Sequence, residues 1–132
     1  MPKTPHIFLA DDNEGELALL RQGFADCGVT VDIHLVKDGE AALQQLMQGS
    51  SAFDLVVLDY YLPKKTGGEV VQGLIGEAFP SCPLVILTTA LRPELRTKAI
   101  NSGVRAILDK PSDLDGYNKL ATNLLRLMEL KS

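Results

Sequence analysis

The sequence predicts an α/β fold in which five βα units share one doubly wound parallel sheet. Two observations carry this expectation. Short apolar runs alternate with helical periods from end to end, and most of the runs are apolar at consecutive positions. Continuous apolar strands joined by helices imply a parallel sheet covered on both faces. The chain has 132 residues, one ordinary domain, long enough to bury a core without staples. With 45% hydrophobic and 23% charged residues, it does not have a disordered composition.

The elements follow in order. His6–Ala10 is a compact β-type run that stops at Asp11–Asp12–Asn13. Leu17, Leu20 and Phe24 recur at helical spacing, Asp12 or Asn13 can cap that helix, and Gly28 stops it. Val31, Ile33 and Leu35 alternate with Asp32 and His34, as a strand with one exposed face does. Asp38 caps a helix carrying Ala42, Leu43, Leu46 and Met47, which ends at Gly49. Leu55–Leu58 is a buried run ending at Asp59, and a turn from Leu62 to Gly68 leads to Val70, Val71, Leu74 and Ile75. Gly73 and Gly76 inside that third helix cost about 1 kcal/mol each against Ala, so it is expected to be the weakest. Leu84–Leu87 ends at Thr88; Pro93 opens a fourth helix, and Gly103 stops it. Val104–Leu108 ends at Asp109–Lys110–Pro111, and a last helix starts near Ser112 or Asp113 and runs toward Leu130. Right-handed crossovers leave few topologies for five such units, of which the flavodoxin-like order 2-1-3-4-5 is the natural one.

Composition excludes several classes of function. The formal net charge of −4 argues against a nucleic-acid surface, which needs clustered Lys and Arg. The longest apolar runs fall far short of the roughly 20 residues of a membrane span. No signal-peptide core precedes the first strand, and Cys27 and Cys82 make neither a disulfide framework nor a metal spacing. A single domain over 1–132, with its core at about 5–130, no output domain and a cytoplasmic location, is expected.

Every strand of such a sheet points its carboxyl end at one edge, where ligands bind at the topological switch point. Topology therefore gathers Asp11 and Asp12 after strand 1, Asp59 ending strand 3, Thr88 ending strand 4 and Lys110 after strand 5. At about 4 Å and an effective dielectric near 20, two carboxylates repel by about 4 kcal/mol, so a counter-cation is expected. Carboxylate oxygens without His or Cys select Mg²⁺ or a similar hard ion such as Mn²⁺. With Lys110 and a hydroxyl beside them, these residues suit a phosphoryl group. Each taken alone is as well read as a cap or turn residue.

On these residues the chain resembles the response-regulator receiver domains of two-component signalling, over essentially its whole length. The matching positions are Asp11–Asp12, Asp59 after Leu55–Leu58, Leu62–Pro63 with Gly67–Gly68, Thr88 and Lys110–Pro111. Asp11–Asp12–Asn13, the stretch Lys37–Leu43 and Leu62–Lys65 look most like the stand-alone regulators associated with bacterial phytochromes. The resemblance implies that Asp59 accepts a phosphoryl group from the phosphohistidine of a sensor histidine kinase. It implies that Asp12 and Asp59 ligate Mg²⁺ directly, Asp11 through water, with the backbone carbonyl of Tyr61. Lys110 holds the acyl phosphate, Thr88 swings toward it, and a downstream protein target reads the change.

Three positions stand out against the family pattern. Ile107 stands where the family carries a Tyr or Phe three residues before the lysine, and Tyr61 stands two residues past the acceptor. Thr89 fills a place where the family usually has a small residue. Ile107 keeps open a phosphorylation-independent adaptor of the same fold. A small Mg²⁺ phosphatase with an aspartyl nucleophile needs a second acid where Tyr61 stands. His6 and His34 fall in strand segments and read as structural; both cysteines read as small hydrophobes. On the last helix, Leu114, Tyr117, Ala121, Leu124, Leu125 and Met128 span an arc of roughly 100° that suits sheet packing. Leu120, Leu127 and Leu130 widen the apolar face beyond it, and that flank is expected to form a homodimer or target interface.

Overall fold

A computed structural model describes residues 4–130, with side chains through Met128. The elements are β1 (His6–Ala10), α1 (Glu14–Asp26), β2 (Asp32–Val36), α2 (Gly39–Met47), β3 (Leu55–Asp59), α3 (Gly67–Leu74), β4 (Leu84–Thr88), α4 (Pro93–Asn101), β5 (Ala106–Asp109) and α5 (Leu114–Leu130). The five strands are parallel in the order β2-β1-β3-β4-β5, as the sequence predicts.

Side chains alternate across the sheet with the period of two that a strand imposes. Phe8, Val56, Leu58 and Ile86 point to one face, where they pack with Leu46 of α2, Val70 and Leu74 of α3 and Ala99 of α4. Ile7, Leu9, Val57 and Val85 point to the other, against Leu20 and Phe24 of α1 and Leu124 of α5. Every residue of β3 and β4 is buried, whereas edge strand β2 exposes Asp32 and His34. That contrast is the continuous-versus-alternating pattern seen in the sequence.

Three expectations need correcting. α3 stops at Leu74, so Gly76 lies beyond it at φ +105°, and of these two glycines Gly73 alone sits inside the helix. Cys27 is exposed, with its Sγ 3.4 Å from the Thr122 hydroxyl; Cys82 alone is buried. Most consequentially, Leu120 is buried and Leu127 half-buried, both within the α1–α5 cluster, while the side chain of Leu130 lies outside the described residues. The reason is the closeness of α1. A Cβ on Gly23 would stand 2.6 Å from the Tyr117 carbonyl oxygen, so the glycine lets the two helices approach, and the flank of α5 is buried there. Leu120 and Leu127 therefore do not supply the exposed flank on which a homodimer was expected.

Candidate functional site

The site forms where β1 and β3 lie side by side at the carboxyl edge of the sheet. Asp11 directly follows β1, its backbone N–H donating to the Val36 carbonyl (3.0 Å), and its side chain is 3% exposed. Asp59 ends β3 with its side chain 5% exposed. The start of α3 is pressed against it: Gly67 N–H donates to the Tyr60 carbonyl at 2.7 Å, and a Cβ on Gly67 would come within 2.7 Å of the Asp59 carbonyl oxygen. Lys110, one residue past β5, is fixed by its N–H donating to the Thr88 carbonyl (2.8 Å).

From there Lys110 reaches across the edge. Its ammonium donates to Asp59 Oδ2 at 2.8 Å and to the two carboxylate oxygens of Glu16 at 2.8 and 3.1 Å, and lies 3.9 Å from Asp11 Oδ2. Asp59 Oδ1 accepts from the Tyr61 N–H at 3.1 Å. Asp11 Oδ1 accepts from the Asn13 N–H at 2.9 Å, and Asn13, the N-cap of α1, accepts from the Glu16 N–H at 3.2 Å. The N-cap thus holds the backbone of Glu16 while its side chain extends into the pocket.

Crowding of acids shows in the ionisation of the cluster. Burial and the hydrogen bond with Glu16 push Asp11 up to about 7, although the Asn13 N–H and Lys110 pull the other way. Burial alone would raise Glu16, but its hydrogen bonds to Asp11 and Lys110 outweigh that and lower it. Burial likewise disfavours charge on Lys110, yet its bonds to Asp59 and Glu16 hold the ammonium more firmly protonated than an ordinary lysine. Tyr117, from α5, is raised by burial and then by the charge of Glu16.

Among the described residues, Asp11, Glu16 and Asp59 each offer an oxygen within 4.8 Å of the others, a donor set that fits a hard divalent cation. Asp12, expected as a direct ligand, is exposed and is not one of these three. Tyr61 contributes its N–H to Asp59; the residue is 54% exposed and its ring meets that of Tyr60 edge-on at 5.0 Å. Thr88 is fully buried and its hydroxyl donates to the Thr89 carbonyl at 3.1 Å, while Thr89 itself is exposed. Both flanking loops contain a residue in the left-handed region, Lys64 at φ +69° and Ala90 at φ +40°, an uncommon backbone state for non-glycine residues. Ile107 is half-buried against the core on the α2–α4 face. The histidines lie away from the pocket: His34 pairs with Gln45 at 2.6 Å, and the His6 backbone donates to Asp54.

Glu16 is the residue that sequence reading missed. Its spacing from Asn13 is the ordinary N-cap-to-N3 interval, so an acid there looks like a local cap. Only the folded chain shows that it reaches a lysine 94 residues away.

A buried acid pair beside one lysine thus lies at the switch point of a five-stranded parallel sheet, where ligands of such sheets bind. The chain matches the response regulator receiver domain over residues 7–121 and belongs to that family, whose members are response regulators of two-component systems. It is 34% identical over 118 residues to the probable methanogenesis regulatory protein FilR2 of Methanothrix harundinacea, covering 86% of this chain and 76% of that protein. It spans only 15% to 47% of the length of several other curated relatives. The phosphorylated cyanobacterial phytochrome response regulator RcpA shares the fold with a TM-score of 0.83 at 24% identity, over 98% of this chain and 97% of that one. The Mn²⁺-bound response regulator Rcp1 does so with a TM-score of 0.76 at 24% identity, over 90% of each chain.

Proposed function

We propose that Asp59 is the phospho-acceptor of this receiver domain. The observation that carries the reading is its buried carboxylate, gripped by Lys110 at 2.8 Å beside two further carboxylates. A carboxylate oxygen of Asp59 attacks the phosphorus of a kinase phosphohistidine. The new O–P bond forms as the P–N bond breaks, and its electron pair leaves on the imidazole nitrogen, which takes up a proton. Lys110 then offsets charge on the phosphoryl oxygens. Thr88, already at the end of β4, swings its hydroxyl from the Thr89 carbonyl toward the new group.

Mg²⁺, or Mn²⁺, supplies charge neutralisation at the transferred group when bound. Asp12 and Asp59 would hold it directly and Asp11 through water, with the backbone carbonyl of Tyr61 joining them. The donor of the phosphoryl group is a sensor histidine kinase, and likeness to phytochrome regulators favours a phytochrome-type one. Among the described residues no helix is long and apolar enough to cross a membrane, which suits action in the cytoplasm with a protein as the downstream target.

Acetyl phosphate with Mg²⁺ tests the reading by intact mass. The wild-type chain should gain one phosphoryl group, Asp59→Asn none, and Asp12→Ala should abolish the Mg²⁺-dependent labelling. Equal labelling of Asp59→Asn would end the assignment.

A further inference from the structure

Lys110 already has a full set of anionic partners. An ammonium carries three N–H donors and no acceptor. Three carboxylate oxygens stand within hydrogen-bond distance: Asp59 Oδ2 at 2.8 Å, and the two of Glu16 at 2.8 and 3.1 Å. Phosphorylation replaces the single charge of the Asp59 carboxylate with about two, spread over three phosphoryl oxygens that compete for the same ammonium. One phosphoryl oxygen can take over the bond now made to Asp59, but for a second to reach the ammonium another partner must give way.

The surroundings identify which. Asp59 is the acceptor itself. Asp11 is 3% exposed, tied to the Asn13 N–H and already 3.9 Å from the ammonium. Glu16 sits in the first turn of α1, keeps 23% of its side chain in solvent, and has its carboxylate held by the side chains of Lys110 and Asp11, with no backbone N–H on it among the described residues. It is the one carboxylate of the three with a route outward.

We propose that Glu16 acts as a built-in stand-in for the phosphoryl group, holding Lys110 in place in the resting state and leaving when phosphorus arrives. It is a positioning residue that raises the threshold for phosphorylation. The inference rests on the assignment of Asp59 above and deepens it: the site selects anions able to displace a carboxylate from Lys110.

Beryllofluoride, an unreactive mimic of the phosphoryl group, tests it on the full chain. Binding is followed by amide NMR at a Mg²⁺ concentration shown to be saturating for each variant. Glu16→Gln, which keeps the shape and removes the charge, should half-saturate at roughly tenfold lower beryllofluoride than wild type, as expected for relief of one like-charge contact. Glu16→Ala should move the same way, which guards against a folding defect peculiar to either variant. Leu46→Val, destabilised in the core near the last turn of α2, away from the carboxyl edge of the sheet, should bind as wild type does. Half-saturation unchanged or weakened in both Glu16 variants, with wild type binding and Asp59→Asn not binding, would overturn the role of Glu16 and leave the acceptor assignment standing. Binding by Asp59→Asn, or by no variant at all, would overturn the acceptor assignment and this inference together.

Discussion

The N-termini of α1 and α3 begin with the same local grammar and end with different chemistry. Each has a side-chain N-cap, Asn13 or Thr66, followed three residues later by a glutamate. At α3 the box closes: Thr66 Oγ1 accepts from the Glu69 N–H at 3.1 Å, and Glu69 accepts from the Thr66 N–H at 3.0 Å. At α1 only half of it forms. The Asn13 N–H is taken by Asp11, so the Glu16 carboxylate turns to Lys110 instead. A charge-assisted bond to a part-buried ammonium outcompetes a neutral backbone donor. What the same motif does is therefore decided by the neighbour that fills its backbone donor.

That contrast can be broken at several points. The largest expected effect is at the lysine. Lys110→Met leaves Asp11, Glu16 and Asp59 with no compensating cation, so the metal-free protein should lose about 3 kcal/mol in urea unfolding. Saturating Mg²⁺ should return part of it. Little or no loss would mean that the cluster is not held by the lysine.

Asp11→Asn comes next and has the opposite sign. Asp11 sits at about 7 in the folded chain against an ordinary 3.8, so between those values the native state binds more protons than the unfolded one. Its stabilising contribution is present in full below about pH 4 and is lost as pH rises through 7. Replacing it with a residue that does not titrate should therefore stabilise the metal-free protein by roughly 1–2 kcal/mol at pH 8, with less gain at pH 5. Thermal melts in EDTA at the two pH values measure this, and a gain larger at pH 5 would contradict it.

Thr66→Ala removes the cap of the closed box and should cost about 1 kcal/mol, with no change in Mg²⁺ affinity. Glu69→Gln should cost least, under about 0.5 kcal/mol, because Gln can still close the box. Denaturant midpoints at constant slope check both. Should Glu69→Gln alter Mg²⁺ affinity as much as Glu16→Gln does, the difference between the two helices would vanish.

The fold was legible because its signals are local. Unbroken apolar runs at Leu55–Leu58 and Leu84–Leu87 mark central strands, alternation around Asp32 and His34 marks the edge, and connection rules then set the order. The placement of Asp11, Asp59, Thr88 and Lys110 at one edge was legible for the same reason, since each ends or directly follows a strand there. Glu16 was not, because its destination depends on a lysine in another element, and helix spacing alone points it to a cap. The leucine flank of α5 misled in a related way. Helical angles tell which residues share a face, but the close approach of α1 at Gly23 decides that Leu120 is covered.

The acid held by Lys110 at 2.8 Å is the proposed point of arrival of the phosphoryl group. Borohydride reduction of the acetyl phosphate-treated, Mg²⁺-loaded chain converts a phosphorylated aspartate to homoserine, and peptide mapping then locates it. Homoserine at position 59, and at no other aspartate, is the result this account predicts. Homoserine at position 11 or 12, with position 59 intact, would contradict it.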